Sequence, residues 1–99
     1  MSSRSHILVV EDQLDNQIIL EDLLGTVYAV RMMNAGREAL DYLATGEVAD
    51  LILLDVVMPD LDGFEVCRRL KADSVTREIP VIFLTALSGI EIEEQGLSL

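Results

Sequence analysis

Glu11, Asp12, Asp55 and Thr85 are the residues of this chain whose types and places could combine into chemistry. Each follows directly on a short apolar run. Ile7 to Val10 leads into Glu11-Asp12, Leu51 to Leu54 into Asp55, and Val81 to Leu84 into Thr85. Three carboxylates brought to one place repel, so at least one should hold its proton to higher pH than usual. A hard divalent cation resolves that conflict, and Mg2+ suits the set because it takes few protein carboxylates and keeps several waters. Asp55 could then act as a nucleophile toward a phosphoryl group. The cation would offset charge on the phosphoryl oxygens, and the Thr85 hydroxyl could donate a hydrogen bond to one of them. Singly, these features are ordinary. A Glu-Asp pair after a strand is usually a solvated loop, and Asp55 with Met58-Pro59-Asp60 and Asp62-Gly63 could be a plain turn. The conjunction carries the signal.

The elements that must position these residues can be read from the apolar pattern. The three runs lack polar alternation, which suits strands buried on both faces of a parallel sheet. Tyr28 to Met33 is a weaker strand candidate, nearer an edge because Arg31 interrupts it. Helical patterns lie between the runs. Ile19, Leu20, Leu23 and Leu24 cover one arc of a helix that Gly25 stops. Ala39, Leu40 and Leu43 form a second face, with Asn34 placed to cap it and Gly46 to end it. Phe64, Cys67 and Leu70 form a third, opened by Asp62-Gly63. Ser88 to Gln95 reads as a fourth helix, ending near Gly96. The order β-α-β-α-β-α-β-α predicts an α/β doubly wound parallel sheet with helices on both faces. Ligands of such sheets bind outside the carboxyl ends of the strands, where Glu11, Asp12, Asp55 and Thr85 all fall.

Composition narrows the function classes. The 99 residues make one domain, and the formal net charge of -11 argues against a nucleic-acid surface, which needs clustered Lys and Arg, and against an anionic membrane surface. Acidity also fits a cation or a basic partner, though its plainest consequence is solubility. Cys67 is the only cysteine, so no intrachain disulfide forms, and its helical setting reads as a small buried hydrophobe. Met1 to Ser5 is short and polar, and nothing approaches the roughly 20 apolar residues of a membrane span. A reducing, cytoplasmic setting is expected. His6 reads as a strand-entry residue, and Met32 and Met33 as strand packing. Leu14 and Ile18 fall outside the apolar arc of the first helix, which points to contact with another helix or a partner.

In three stretches the sequence resembles the receiver domain of bacterial two-component response regulators. These are Ile7-Leu-Val-Val-Glu-Asp12, Leu53-Leu-Asp-Val-Val-Met-Pro-Asp-Leu-Asp-Gly63, and Ile79-Pro-Val-Ile-Phe-Leu-Thr-Ala86. The resemblance runs over essentially the whole chain, in order. It implies a flavodoxin-like receiver fold of strand order 2-1-3-4-5, in which this chain supplies 2-1-3-4. It implies that Asp55 takes a phosphoryl group from a phosphohistidine on a sensor histidine kinase or histidine phosphotransfer protein. It further implies Mg2+ bound by Asp12, Asp55 and the Val57 backbone carbonyl, with Glu11 holding a metal-bound water. Thr85 would be the switch hydroxyl, and Pro59 and Gly63 would shape the adjoining loop. Such a domain assists its own phosphorylation and dephosphorylation without being an enzyme on a separate substrate.

The family pattern continues past residue 99 with a fifth strand, a lysine at its end and a fifth helix. The chain reads as one receiver domain, 1–99, that is C-terminally incomplete, since Lys71 lies in the third helical pattern. Mg2+ binding is expected to survive and phosphoryl switching to be impaired. A homodimer through the exposed fourth strand or fourth helix is also expected. Val57 and Leu87, both apolar, predict slow self-hydrolysis. A phosphorylation-independent interaction or dimerisation module is the rival reading. A flavin mononucleotide site lacks its phosphate loop, since Glu11-Asp12 would repel phosphate. A haloacid-dehalogenase-type phosphatase wants an aspartate where Val57 stands.

Overall fold

A computed structural model describes residues 4–58 and 60–84. Pro59, Thr85, Leu87 and the helix expected over Ser88 to Gln95 lie outside the described residues. Strands β1 (His6–Val10), β2 (Ala29–Met33), β3 (Leu51–Asp55) and β4 (Val81–Leu84) alternate with helices α1 (Leu14–Leu24), α2 (Gly36–Ala44) and α3 (Gly63–Ala72). The four strands form one sheet in the order β2-β1-β3-β4, all parallel. This is the expected doubly wound receiver topology, with the Arg31-bearing strand at an edge.

The strand pattern follows from burial. Ile7, Leu8, Val9 and Val10 of β1 and Ile52, Leu53 and Leu54 of β3 are all buried, because these two strands have a neighbour on each side and helices on the sheet faces. Arg31 is exposed on β2, and its guanidinium lies 5.3 Å from the centre of the Tyr42 ring, within cation–π range. On one face the core joins Leu8, Val10, Ile52, Leu54 and Phe83 to α2 and α3 through Ala39, Leu43, Val66, Cys67 and Leu70. On the other, Ile7, Val9, Leu53 and Leu84 pack with Leu20 of α1. Register brings the strand ends level. Val10 pairs with both Met33 and Leu54, and Asp55 pairs with Leu84.

Three helix expectations need correction. Of the arc proposed for α1, Leu20 is buried, but Ile19 and Leu23 are exposed. The sheet covers only the Leu20–Leu24 side, and among the described residues no second helix flanks the other. Leu14 and Ile18 are exposed as well. Asn34 does not cap α2; the cap position is Ala35, without a side-chain bond. In α3 the buried face is Val66, Cys67 and Leu70. Phe64 is partly exposed and rests its ring on Phe83, with centroids 4.8 Å apart. Asp62 caps α3 as expected, its carboxylate accepting from the Glu65 N–H at 2.8 Å. Lys71, in α3, donates to the carbonyls of Arg77 (3.1 Å) and Ile79 (2.8 Å), so it closes the turn into β4.

Candidate functional site

The end of β1 delivers Glu11 and Asp12, and the last residue of β3 is Asp55. Glu11 is fixed there by its backbone N–H, which donates to the Met33 carbonyl at 3.0 Å, in line with the β1–β2 ladder. Each of the three carboxylates offers an oxygen within 4.8 Å of the others. The spacing argument holds for two of its three segments, since Glu11-Asp12 and Asp55 meet at the carboxyl edge of the sheet; Thr85 lies outside the described residues.

Glu11 and Asp55 are only 2% and 3% exposed, a costly setting for like charges. Glu11 Oε2 accepts from the Gln13 N–H at 3.1 Å, and Asp55 Oδ1 accepts a long bond from the Val57 N–H at 3.4 Å. The Asp55 carboxyl is pushed up to about 6. Burial is the first cause, the Glu11 charge the next; the Val57 N–H opposes them, and the Asp12 charge and a hydrogen bond with Glu11 add to the rise. Asp12 Oδ1 is buried and accepts from no group. A buried carboxylate oxygen without a donor is expensive, whereas a cation among three convergent carboxylates would satisfy it and relieve the repulsion at Asp55. An all-oxygen donor set of this kind suits a hard ion such as Mg2+, Ca2+ or Mn2+.

The loop after β3 is shaped around the site. A Cβ on Gly63 would collide with the Asp55 carbonyl oxygen and come within 3.0 Å of Val56 Cα, so only glycine lets α3 start this close to the strand end. The Gly63 N–H donates to the Val56 carbonyl at 2.9 Å. Met58 is buried and fastens the loop to the core, while the Val57 side chain is exposed and leaves its backbone to face Asp55.

Two residues at the site carry roles that sequence reasoning missed. Asp60 accepts from the N–H groups of Gly36 (3.3 Å) and Arg37 (2.9 Å) at the start of α2. Burial alone would raise its carboxyl, but the N–H groups of Arg37, Leu61, Gly36 and Asp60 itself outweigh that and hold it below the ordinary value. Gln17 Nε2 donates to the Glu11 carbonyl and to Asn34 Oδ1, both at 2.6 Å. The contacts of Gln17 with Asn34 and of Asp60 with Gly36 and Arg37 span 17 to 24 residues, so no local motif announces them. Among the described residues, no helix is long and apolar enough to cross a membrane.

Known proteins resemble this chain in sequence and in fold. Residues 7–99 match the family described as response regulator receiver domain. Response regulator PleD of Caulobacter vibrioides is 48% identical over 98 residues, covering 98% of this chain and 21% of that protein, so the chain spans about a fifth of this relative. The signal receiver domain of a signal transduction histidine kinase from Syntrophus aciditrophicus superposes with a TM-score of 0.77 at 38% identity, covering 95% of this chain and 68% of that one. The Mn(2+)-bound form of response regulator Rcp1 superposes with a TM-score of 0.76 at 28% identity, covering 86% and 68%. Because the family match takes in the strands and loops that build the acidic cluster, this chain belongs to the response regulator receiver domains of two-component signalling.

Proposed function

We propose that this receiver accepts a phosphoryl group on Asp55 from a phosphohistidine of a sensor histidine kinase or histidine phosphotransfer protein. An Asp55 carboxylate oxygen attacks phosphorus, the P–N bond to the donor imidazole breaks, and an acyl phosphate remains on Asp55. The observation that carries this reading is the donorless, buried Asp12 Oδ1 beside the crowded Glu11 and Asp55 carboxylates. Asp12, Asp55 and the Val57 carbonyl would hold Mg2+ directly, and Glu11 would hold a water on it. The bound cation would keep Asp55 ionised near neutral pH and offset charge on the phosphoryl oxygens. Thr85 follows Leu84, the strand partner of Asp55, and is assigned the switch hydroxyl by family resemblance. The added phosphoryl group brings about -1.5 to -2 of charge, and the output is a changed affinity for a partner.

In the full-length protein, incubation with acetyl phosphate and Mg2+ should add one phosphoryl group to Asp55, seen by mass spectrometry, and Asp55→Asn should take up none. Undiminished labelling of Asp55→Asn would overturn the assignment. The exposed Leu14, Ile18 and Leu23 on α1 favour a second reading, a phosphorylation-independent association module. A stable dimer in light scattering, with no Mg2+ response and no labelling, would support that instead.

A further inference from the structure

The two loops that carry the acidic residues do not touch only each other. Each is tied to the short segment 34–37, which runs from the end of β2 into the first turn of α2. On one side, Gln17 spends both amide hydrogens, one on the carbonyl of Glu11 and one on Asn34 Oδ1, each at 2.6 Å. On the other, the Asp60 carboxylate takes the N–H groups of Gly36 and Arg37. The segment is itself stiffened, since the Asn34 N–H donates to Glu38 Oε1 at 2.7 Å. Gly36 is buried, and a Cβ there would press on Val66 and Leu61, so the backbone of α2 sits directly against the loop after β3.

We propose that Gln17 and Asp60 are positioning residues that clamp the Glu11-Asp12 loop and the Asp55-to-Asp62 loop to one common brace, 34–37. The inference deepens the metal-dependent reading of the site and rests on it. Three ligand groups from two loops hold a small ion well only if the loops keep a fixed relative position. The strand ladder fixes Val10 against Leu54, but Asp12 and Val57 lie beyond it, where only loop contacts remain. Groups that orient ligands without touching the metal commonly change affinity by about 10–100-fold. Both clamps act on one separation, so losing either frees it and losing the second adds little.

The test measures Mg2+ affinity by isothermal titration calorimetry on the full chain, with the melting temperature in chelator as the fold control. Asp60→Ala and Gln17→Ala should each weaken Mg2+ binding by about tenfold, and the double variant should be scarcely weaker than either single one. Asp60→Asn keeps one acceptor oxygen and should recover part of the loss. In metal-free protein, amide hydrogen exchange at Val56 and Val57 should quicken in both single variants, a readout independent of the ion. Should Asp60→Ala fail to fold, Asp60→Asn and Gln17→Ala carry the same comparison. Unchanged Mg2+ affinity in folded variants, or losses that multiply fully in the double variant, would overturn the brace. Failure of the wild type to bind Mg2+ would instead bring down the functional reading and the brace with it.

Discussion

The carboxylates of Glu11 and Asp55 sit side by side at the ends of β1 and β3, both buried and with oxygens within 4.8 Å. Among the described residues, no basic side chain forms an ion pair with either carboxylate. Stability should therefore depend on pH in a direction opposite to that of a salt-bridged carboxylate. The Asp55 carboxyl is raised from 3.8 to about 6. Between those values the folded chain binds more protons than the unfolded one, so the contribution is fully present below pH ~4 and is lost as pH rises through ~6. A shift of that size corresponds to about 1–3 kcal/mol. In chelator, urea midpoints of wild type should fall over this interval, and Asp55→Asn should flatten the profile and be the more stable protein at pH 7. Wild-type midpoints that do not fall relative to those of Asp55→Asn between pH 4 and 6 would contradict this.

Mg2+ should reverse that penalty. Binding to the folded state alone at a hundredfold excess over Kd adds about 2.7 kcal/mol, a rise of roughly 10 °C or more in Tm for a domain of this size. Asp12→Ala removes the donorless oxygen together with a repelling charge. Its Tm in chelator should equal or exceed that of wild type, while its response to Mg2+ should largely vanish. A variant that keeps the full Mg2+ increment would show that Asp12 is no ligand.

The sheet and its acidic edge were legible because both rest on patterns a single chain displays. Apolar runs such as Ile7 to Val10 declare central strands, and the runs of β1 and β3 lead directly into the clustered acids. What was not legible depends on contacts between distant segments. Ile19 and Leu23 read as core from periodicity, but which side of an apolar arc meets a sheet is decided by neighbouring elements. Asn34 looks like a cap by composition, yet the α2 N–H groups are taken by Asp60, from the loop beyond β3. A long-range cap of this kind has no spacing rule to reveal it.

Leu20 and Leu23 measure that difference directly. Leu20 is 5% exposed and Leu23 60%, though both belong to one apolar arc. Leu20→Ala should cost about 2–5 kcal/mol by leaving a cavity against β1 and β3. Leu23→Ala should stay within roughly 0.5 kcal/mol in the monomer. Equal losses in chemical denaturation would mean that α1 is covered on both sides in solution.

Asp62 tests whether helix start and site can be separated. Its carboxylate caps α3 by accepting from the Glu65 N–H, but it is not one of the three clustered acids. Asp62→Ala should lower stability by about 1 kcal/mol and leave the Mg2+ increment in Tm nearly unchanged. Loss of that increment would place Asp62 among the groups that hold the ion.

Gly63 and Gly46 should respond differently to the same added methyl group. At Gly46 the backbone is left-handed, with φ of 98°, and nothing lies within 4 Å of the new Cβ. The cost there is conformational alone, about 1–2 kcal/mol, and the acidic site is remote from it. At Gly63 the Cβ meets backbone of Asp55 and Val56, which cannot swing aside as a side chain would. Relief requires α3 to back away or the end of β3 to shift, and either motion displaces the Asp55 carboxylate and the Val57 carbonyl. Gly63→Ala should therefore lose about 1–3 kcal/mol and also most of its Mg2+ response, whereas Gly46→Ala should bind Mg2+ as wild type does. Calorimetric titration of both variants separates overpacking at the site from simple backbone strain; equal Mg2+ affinities would show that the β3–α3 junction can yield without moving the ligands.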